Sequence, residues 1–148
     1  LEPVRRMLEH PDTLVALGDG GAHYGTICDS SYTTFVLSYW TRDRQSGRLP
    51  LAHTIHRLTQ ANALAMGFAD RGLIAPGMKA DINVIDYDRL ALRPPRMVRD
   101  LPAGGGRLLQ EASGYIATIK AGAVTYRDGV ATGALPGGLL RSGDFAAV

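Results

Sequence analysis

Apolar positions recur at helical spacing at the start of the chain, where Val4, Met7 and Leu8 fall on one side of residues 3–9. His10-Pro11-Asp12 then breaks the pattern with turn chemistry, so a helix ends there. Residues 13–17 (Thr13-Leu14-Val15-Ala16-Leu17) form a short unbroken apolar run, closed by Gly18-Asp19-Gly20-Gly21. A strand buried on both faces has this pattern, and a parallel sheet is its natural setting. Helix, turn, buried strand and glycine-rich turn make one step of an α/β sheet or barrel, in which chemistry gathers at the carboxyl ends of strands. Asp19 stands at such an end.

Residues 30–40 predict a second helix, with Tyr32, Phe35, Val36, Tyr39 and Trp40 clustered on one side and Asp29, Ser30 or Ser31 as its cap. Pro50 opens a third through about Gln60, with Leu51, Ile55 and Leu58 repeating, and residues 61–68 predict a fourth, short one. Asp70-Arg71-Gly72-Leu73-Ile74-Ala75-Pro76-Gly77 then interrupts the helical order with a turn. Beyond Ala80 the period changes to that of strands, expected at 82–86, 115–119 and 123–126. Lys120-Ala121-Gly122 and Arg127-Asp128-Gly129 are hairpin signals. The stretch 90–112, with Pro94, Pro95, Pro102 and Gly104-Gly105-Gly106, reads as a long irregular loop. So few strands make a poor independent sheet, which implies completion by strands from elsewhere.

Composition narrows the classes. The chain's 148 residues suffice for a real core, and 45% hydrophobic with 20% charged residues is the balance of a soluble globular protein. A net charge of +2 with scattered arginines excludes nucleic acid as a partner. No apolar run is long enough to span a bilayer and no signal segment is recognisable, so no membrane partner is expected. Cys28, the single cysteine, cannot form an internal disulfide, and a cytoplasmic setting follows as the expectation. The start without methionine, in mid-helix, reads as part of a longer protein.

Among the candidate chemical residues, Asp19 has two readings from sequence alone. Asp before Gly-Gly is ordinary turn chemistry. From the residues alone that reading leads, but a carboxylate at a strand end, followed by Gly20 and Gly21 that let a substrate approach the backbone, is also suited to moving protons. His23 lies at the same mouth and can bind substrate, stabilise developing charge, or be only a polar loop residue. His53 and His56, three apart on a helix, lack an acidic partner and read as a solvated face. Cys28 reads as a structural thiol, and Tyr32, Phe35, Tyr39 and Trp40 as core contacts.

The segments Leu17-Gly18-Asp19-Gly20-Gly21-Ala22-His23, Asp70 to Asp86, which follows a Gly-x-Leu-x-Pro-Gly-x-x-Ala-Asp pattern with Ile74 at the leucine position, and Ala121-Gly122-Ala123-Val124-Thr125-Tyr126-Arg127-Asp128-Gly129 together resemble amidohydrolases of the N-acyl-D-amino-acid deacylase (D-aminoacylase) type. Leu101-Pro102-Ala103-Gly104-Gly105-Gly106-Arg107 and Leu135-Pro136-Gly137-Gly138-Leu139-Leu140-Arg141 extend the likeness. The resemblance implies an α/β fold plus β. Residues 1–79 would be the C-terminal segment of a metal-dependent (β/α)8 barrel, with its last strand at 13–17. Residues 80–148 would be part of a small β-sandwich domain carrying the loop 90–112. It implies hydrolysis of the linear amide of an N-acyl amino acid, a small-molecule substrate, with Asp19 as the proton-transferring residue and His23, Gly20 and Gly21 against the substrate. It also implies zinc, with Asp19 available as one ligand and the rest outside this chain. The family's His-x-His pair has no counterpart here, so the remaining barrel is expected upstream and the isolated chain is expected to be inactive. The loop after Asp19 also lacks the family's His-Pro-Arg segment, which leaves stereochemistry and acyl group open. Two alternatives stay beside this reading: a cyclic-amide amidohydrolase of the hydantoinase or dihydroorotase kind, and a non-catalytic β accessory or oligomerisation module.

Overall fold

Glu2 and Pro3 open the first helix, α1 (Glu2–Glu9), and Arg5 staples it by pairing with Glu2 and Glu9, each at 2.6 Å. The computed structural model of the chain describes residues 1–16, 18, 21 and 23–141. The second predicted helix divides into one α-turn, α2 (Tyr32–Phe35), and a π-helix at Val36–Asp43. Hydroxyls loosen this stretch: Ser38 Oγ donates to the Thr34 carbonyl at 2.9 Å and Thr41 Oγ1 to that of Leu37. The Arg44 N–H then reaches back five residues, to the Tyr39 carbonyl at 3.0 Å, which is the wider π spacing. After Pro50 come α3 (Leu51–Leu58) and α4 (Gln60–Ala65), broken at Thr59.

Val15, Val36, Trp40 and Leu49 form the buried cluster of this helical part, with Leu8, Tyr32, Tyr39 and Leu58 packed against it. Thr13 to Ala16, expected in a strand, are hydrogen-bonded into no sheet among the described residues. Side chains of α3 and α4 take the carbonyls of Thr13 and Val15 instead.

The β part holds a four-stranded antiparallel sheet in the order β1 (Ile82–Ile85), β6 (Tyr115–Lys120), β7 (Ala123–Arg127), β8 (Val130–Ala131). Both of its tight hairpins turn on two residues of positive φ, Ala121 (50°) with Gly122 (83°) and Asp128 (48°) with Gly129 (80°), the geometry whose twist matches the strands. Residues 90–112 are not the irregular loop expected from their prolines and glycines. They carry β2 (Ala91–Leu92), β3 (Arg96–Val98), β4 (Arg107–Leu109) and β5 (Ala112–Ser113), paired as β2 with β5 and β3 with β4. Pro94 and Pro95 fall between β2 and β3, where no ladder hydrogen bond is lost, and strands of two or three residues are too short to show a period.

The Asp70–Asp81 segment joins the two parts through charge. Arg71 pairs with Asp70 at 2.8 Å and approaches Asp81 at 3.7 Å, while Lys120 Nζ donates to Asp81 at 2.8 Å. Asp81 Oδ1 also accepts the Ala121 N–H at 2.8 Å, so the motif's aspartate caps the β6–β7 hairpin. Burial raises the Asp81 pKa, but the Lys120 and Ala121 hydrogen bonds with the charges of Lys120 and Arg71 outweigh it and hold the carboxyl below its usual range. No helix among the described residues is long and apolar enough to cross a membrane.

Candidate functional site

The glycine-rich turn after Ala16 is the segment around which the candidate site is organised. Asp19 and Gly20, the leading proton-transfer and substrate-binding residues of the sequence reading, lie outside the described residues. Their neighbours Gly18, Gly21 and His23 are described. A Cβ on Gly18 would meet Tyr32 Cδ1 at 2.9 Å and the Asp29 carbonyl oxygen at 3.2 Å. Gly18 therefore lets the chain press against the start of α2 immediately before Asp19. Gly21 has φ 103° and nothing within 4 Å of where its Cβ would stand, so its backbone is open to an approaching molecule.

His23 is exposed and takes a left-handed φ of 48°. Its carbonyl accepts the N–H groups of Thr26 at 2.8 Å and Ile27 at 3.1 Å and the Thr26 hydroxyl at 3.2 Å. This tight turn points the loop toward the β part, where the Leu108 N–H donates to the Tyr24 carbonyl at 2.7 Å. Ser31 Oγ with Gln110 Oε1 at 2.5 Å and Thr34 Oγ1 with the Tyr115 hydroxyl at 2.7 Å continue the seam. Strand β4 and its neighbours thus fix the loop that follows Asp19, a role no local sequence signal announces.

The remaining candidates separate from this site. His53 and His56 are both exposed on α3, in keeping with a solvated face. Cys28 is a half-buried free thiol. Trp40 is 2% exposed and edge-on to Tyr39, which packs against the buried cluster, whereas Phe35, expected in the core, is 43% exposed and only stacks on the Tyr39 ring at 5.0 Å. Tyr32 belongs to the site's wall through Gly18. Among the described residues no group of three or more His, Cys, Asp or Glu side chains converges on a point that could hold a metal ion. The described residues do not by themselves fit a zinc centre.

Comparison with known proteins places the chain. A family model described as "Amidohydrolase family" matches residues 1–126, and the chain belongs to that family. A curated relative, the 5-methylthioadenosine/S-adenosylhomocysteine deaminase of Pelotomaculum thermopropionicum, is similar over 46 residues at 44% identity. That stretch is 31% of this chain and 11% of the relative's length. No solved structure matches the chain.

Proposed function

We propose that this chain is the C-terminal portion of a metal-dependent amidohydrolase that cleaves the linear amide of N-acyl amino acids, with Asp19 as its proton-transferring residue. Family membership over residues 1–126 supports the hydrolase part of the reading, and the resemblance of the segments around Asp19, Asp81 and Gly122 suggests the N-acyl amino acid substrate. In the reaction, water oxygen bonds to the acyl carbon, the carbon–nitrogen bond breaks, and a proton passes to the departing amine, leaving a carboxylate and a free amino acid. Asp19 receives the water's proton and delivers it to nitrogen, and the open backbone at Gly21 together with Gly20 and His23 lines the substrate's approach. The metal dependence in this reading rests on ligands outside this chain, the barrel included.

The deaminase likeness favours a second reading, hydrolytic loss of an amino group from a purine-type ring, since it too replaces nitrogen by water oxygen at an activated carbon. One assay separates the possibilities. The full-length enzyme, supplied with zinc, is offered N-acetyl-D- and L-amino acids, a hydantoin, and 5-methylthioadenosine. Turnover of N-acetyl amino acids at rates well above the other compounds is the expected result. Preference for 5-methylthioadenosine or the hydantoin would transfer the assignment to those chemistries, and no turnover of any compound would favour a non-catalytic module.

A further inference from the structure

Arg57 is 7% exposed, and among the described residues it forms no ion pair with a carboxylate. Its guanidinium is spent on backbone: Nη2 donates to the His10 carbonyl at 2.7 Å and to that of Thr13, and Nη1 to that of Pro11 at 3.2 Å. Its Nε is buried with no hydrogen-bond partner. A buried cation whose partners among the described residues are carbonyl dipoles is an expensive way to fill space, and an apolar side chain of similar volume would pack more favourably. What a guanidinium adds is a planar fork that fixes several oxygens at set angles. The His10 carbonyl follows the last turn of α1, where backbone dipoles are negative and a cation is welcome.

Asn62, on α4, does the same one step further along. Its Nδ2 donates to the Val15 carbonyl at 2.9 Å, and its Oδ1 is buried without a partner. In an extended segment the carbonyls of residues two apart point to the same side. Side chains of α3 and α4 therefore occupy the Thr13–Val15 edge as a neighbouring strand would, while the Val15 side chain is seated in the core beside Val36, Trp40 and Leu49. Leu14, between them, is 48% exposed. The segment is thus held along one edge and one face, and Gly18 is held again by Tyr32.

From this geometry we infer that Arg57 and Asn62 are positioning residues: they fix residues 13–15, the segment that precedes Asp19 in the sequence, and they act on turnover instead of substrate affinity. The inference rests on the proposed role of Asp19 and adds to it an anchor, supplied by α3 and α4, for the segment that precedes that residue in the sequence. A displacement of about 1 Å at a reacting group lowers a rate by as much as about a hundredfold, so loosening one carbonyl anchor has a kinetic signature.

The test measures kcat and KM of full-length Asn62→Ala, Arg57→Lys and Arg57→Met on an N-acetyl-D-amino acid, with thermal unfolding of each. Leu90→Ala serves as control, because Leu90 is fully buried and the carbonyls of His10, Pro11, Thr13 and Val15 take their side-chain hydrogen bonds from Arg57 and Asn62 and not from it. Asn62→Ala should lose about tenfold or more in kcat with KM within about twofold, well beyond Leu90→Ala at a similar loss of Tm. Arg57→Lys should recover part of what Arg57→Met loses. If folded Asn62→Ala and Arg57→Lys keep kcat at the level of Leu90→Ala, the clamp is merely structural and the inference fails. Asp19→Asn run in parallel keeps the two ideas apart: an active Asp19→Asn overturns the catalytic reading, whereas an inactive Asp19→Asn beside fully active clamp variants overturns only the clamp.

Discussion

Single residues here do work that their chemical type does not advertise. Gly18 was legible only as part of a turn, but its lack of a side chain is what lets the chain pass Tyr32 and the Asp29 carbonyl. Gly18→Ala should therefore destabilise the protein by about 1–3 kcal/mol through overpacking, read by chemical denaturation. A loss below about 0.3 kcal/mol would show that Tyr32 moves aside freely. Arg57 was invisible in the sequence, where an arginine at the end of an amphipathic helix reads as solvent-facing. Asn62 carried a faint signal, a lone amide inside a short apolar helix. Asp19 could be singled out from its setting after an apolar run and before two glycines, and the role proposed for it rests on that setting and on the resemblance of the segment around it.

At the scale of elements, long periodic segments were readable and short ones were not. Helices α1, α3 and α4 and strands β1, β6 and β7 fall close to their expected positions, because each repeats its apolar spacing over several residues or is bounded by a strong turn signal. The π-helix escaped because its cause is hydroxyl side chains bonding back to the helix, and strands β2 to β5 escaped because two or three residues hold no period. The segment Gly72 to Asp81 gains a physical meaning at this scale, since its aspartate caps the β6–β7 hairpin and ties it to Arg71. Asp81 is held below its usual pKa in the folded chain, so its contribution to stability is full above the ordinary carboxylate range, near pH 4, and is lost as pH falls through the lower folded value. Asp81→Asn should cost about 1 kcal/mol at pH 7 and flatten the fall in stability below about pH 4. An unchanged acid profile, measured by urea unfolding from pH 7 to pH 2, would remove Asp81 from the joint.

For the whole molecule, the helical part and the β part meet along a polar seam. Arg42 reaches from the π-helix to the carbonyls of Tyr87, Asp88 and Leu90, and Thr41 Oγ1 meets the Tyr87 hydroxyl at 2.5 Å. Leu108 and Gln110 hold the loop that follows the glycine-rich turn. The β part therefore holds the loop at residues 24–31 as well as forming a sheet of its own, and pairings of this kind cannot be read from a linear pattern. Sequence and fold together give a chain of the amidohydrolase family whose packing converges on the segment leading to Asp19. The most direct measurement is turnover of an N-acetyl-D-amino acid by the full-length enzyme and its Asp19→Asn variant. A carboxylate that moves the proton in the rate-limiting step predicts a fall in kcat of at least about a hundredfold with thermal unfolding unchanged. Turnover within about tenfold of wild type would contradict it.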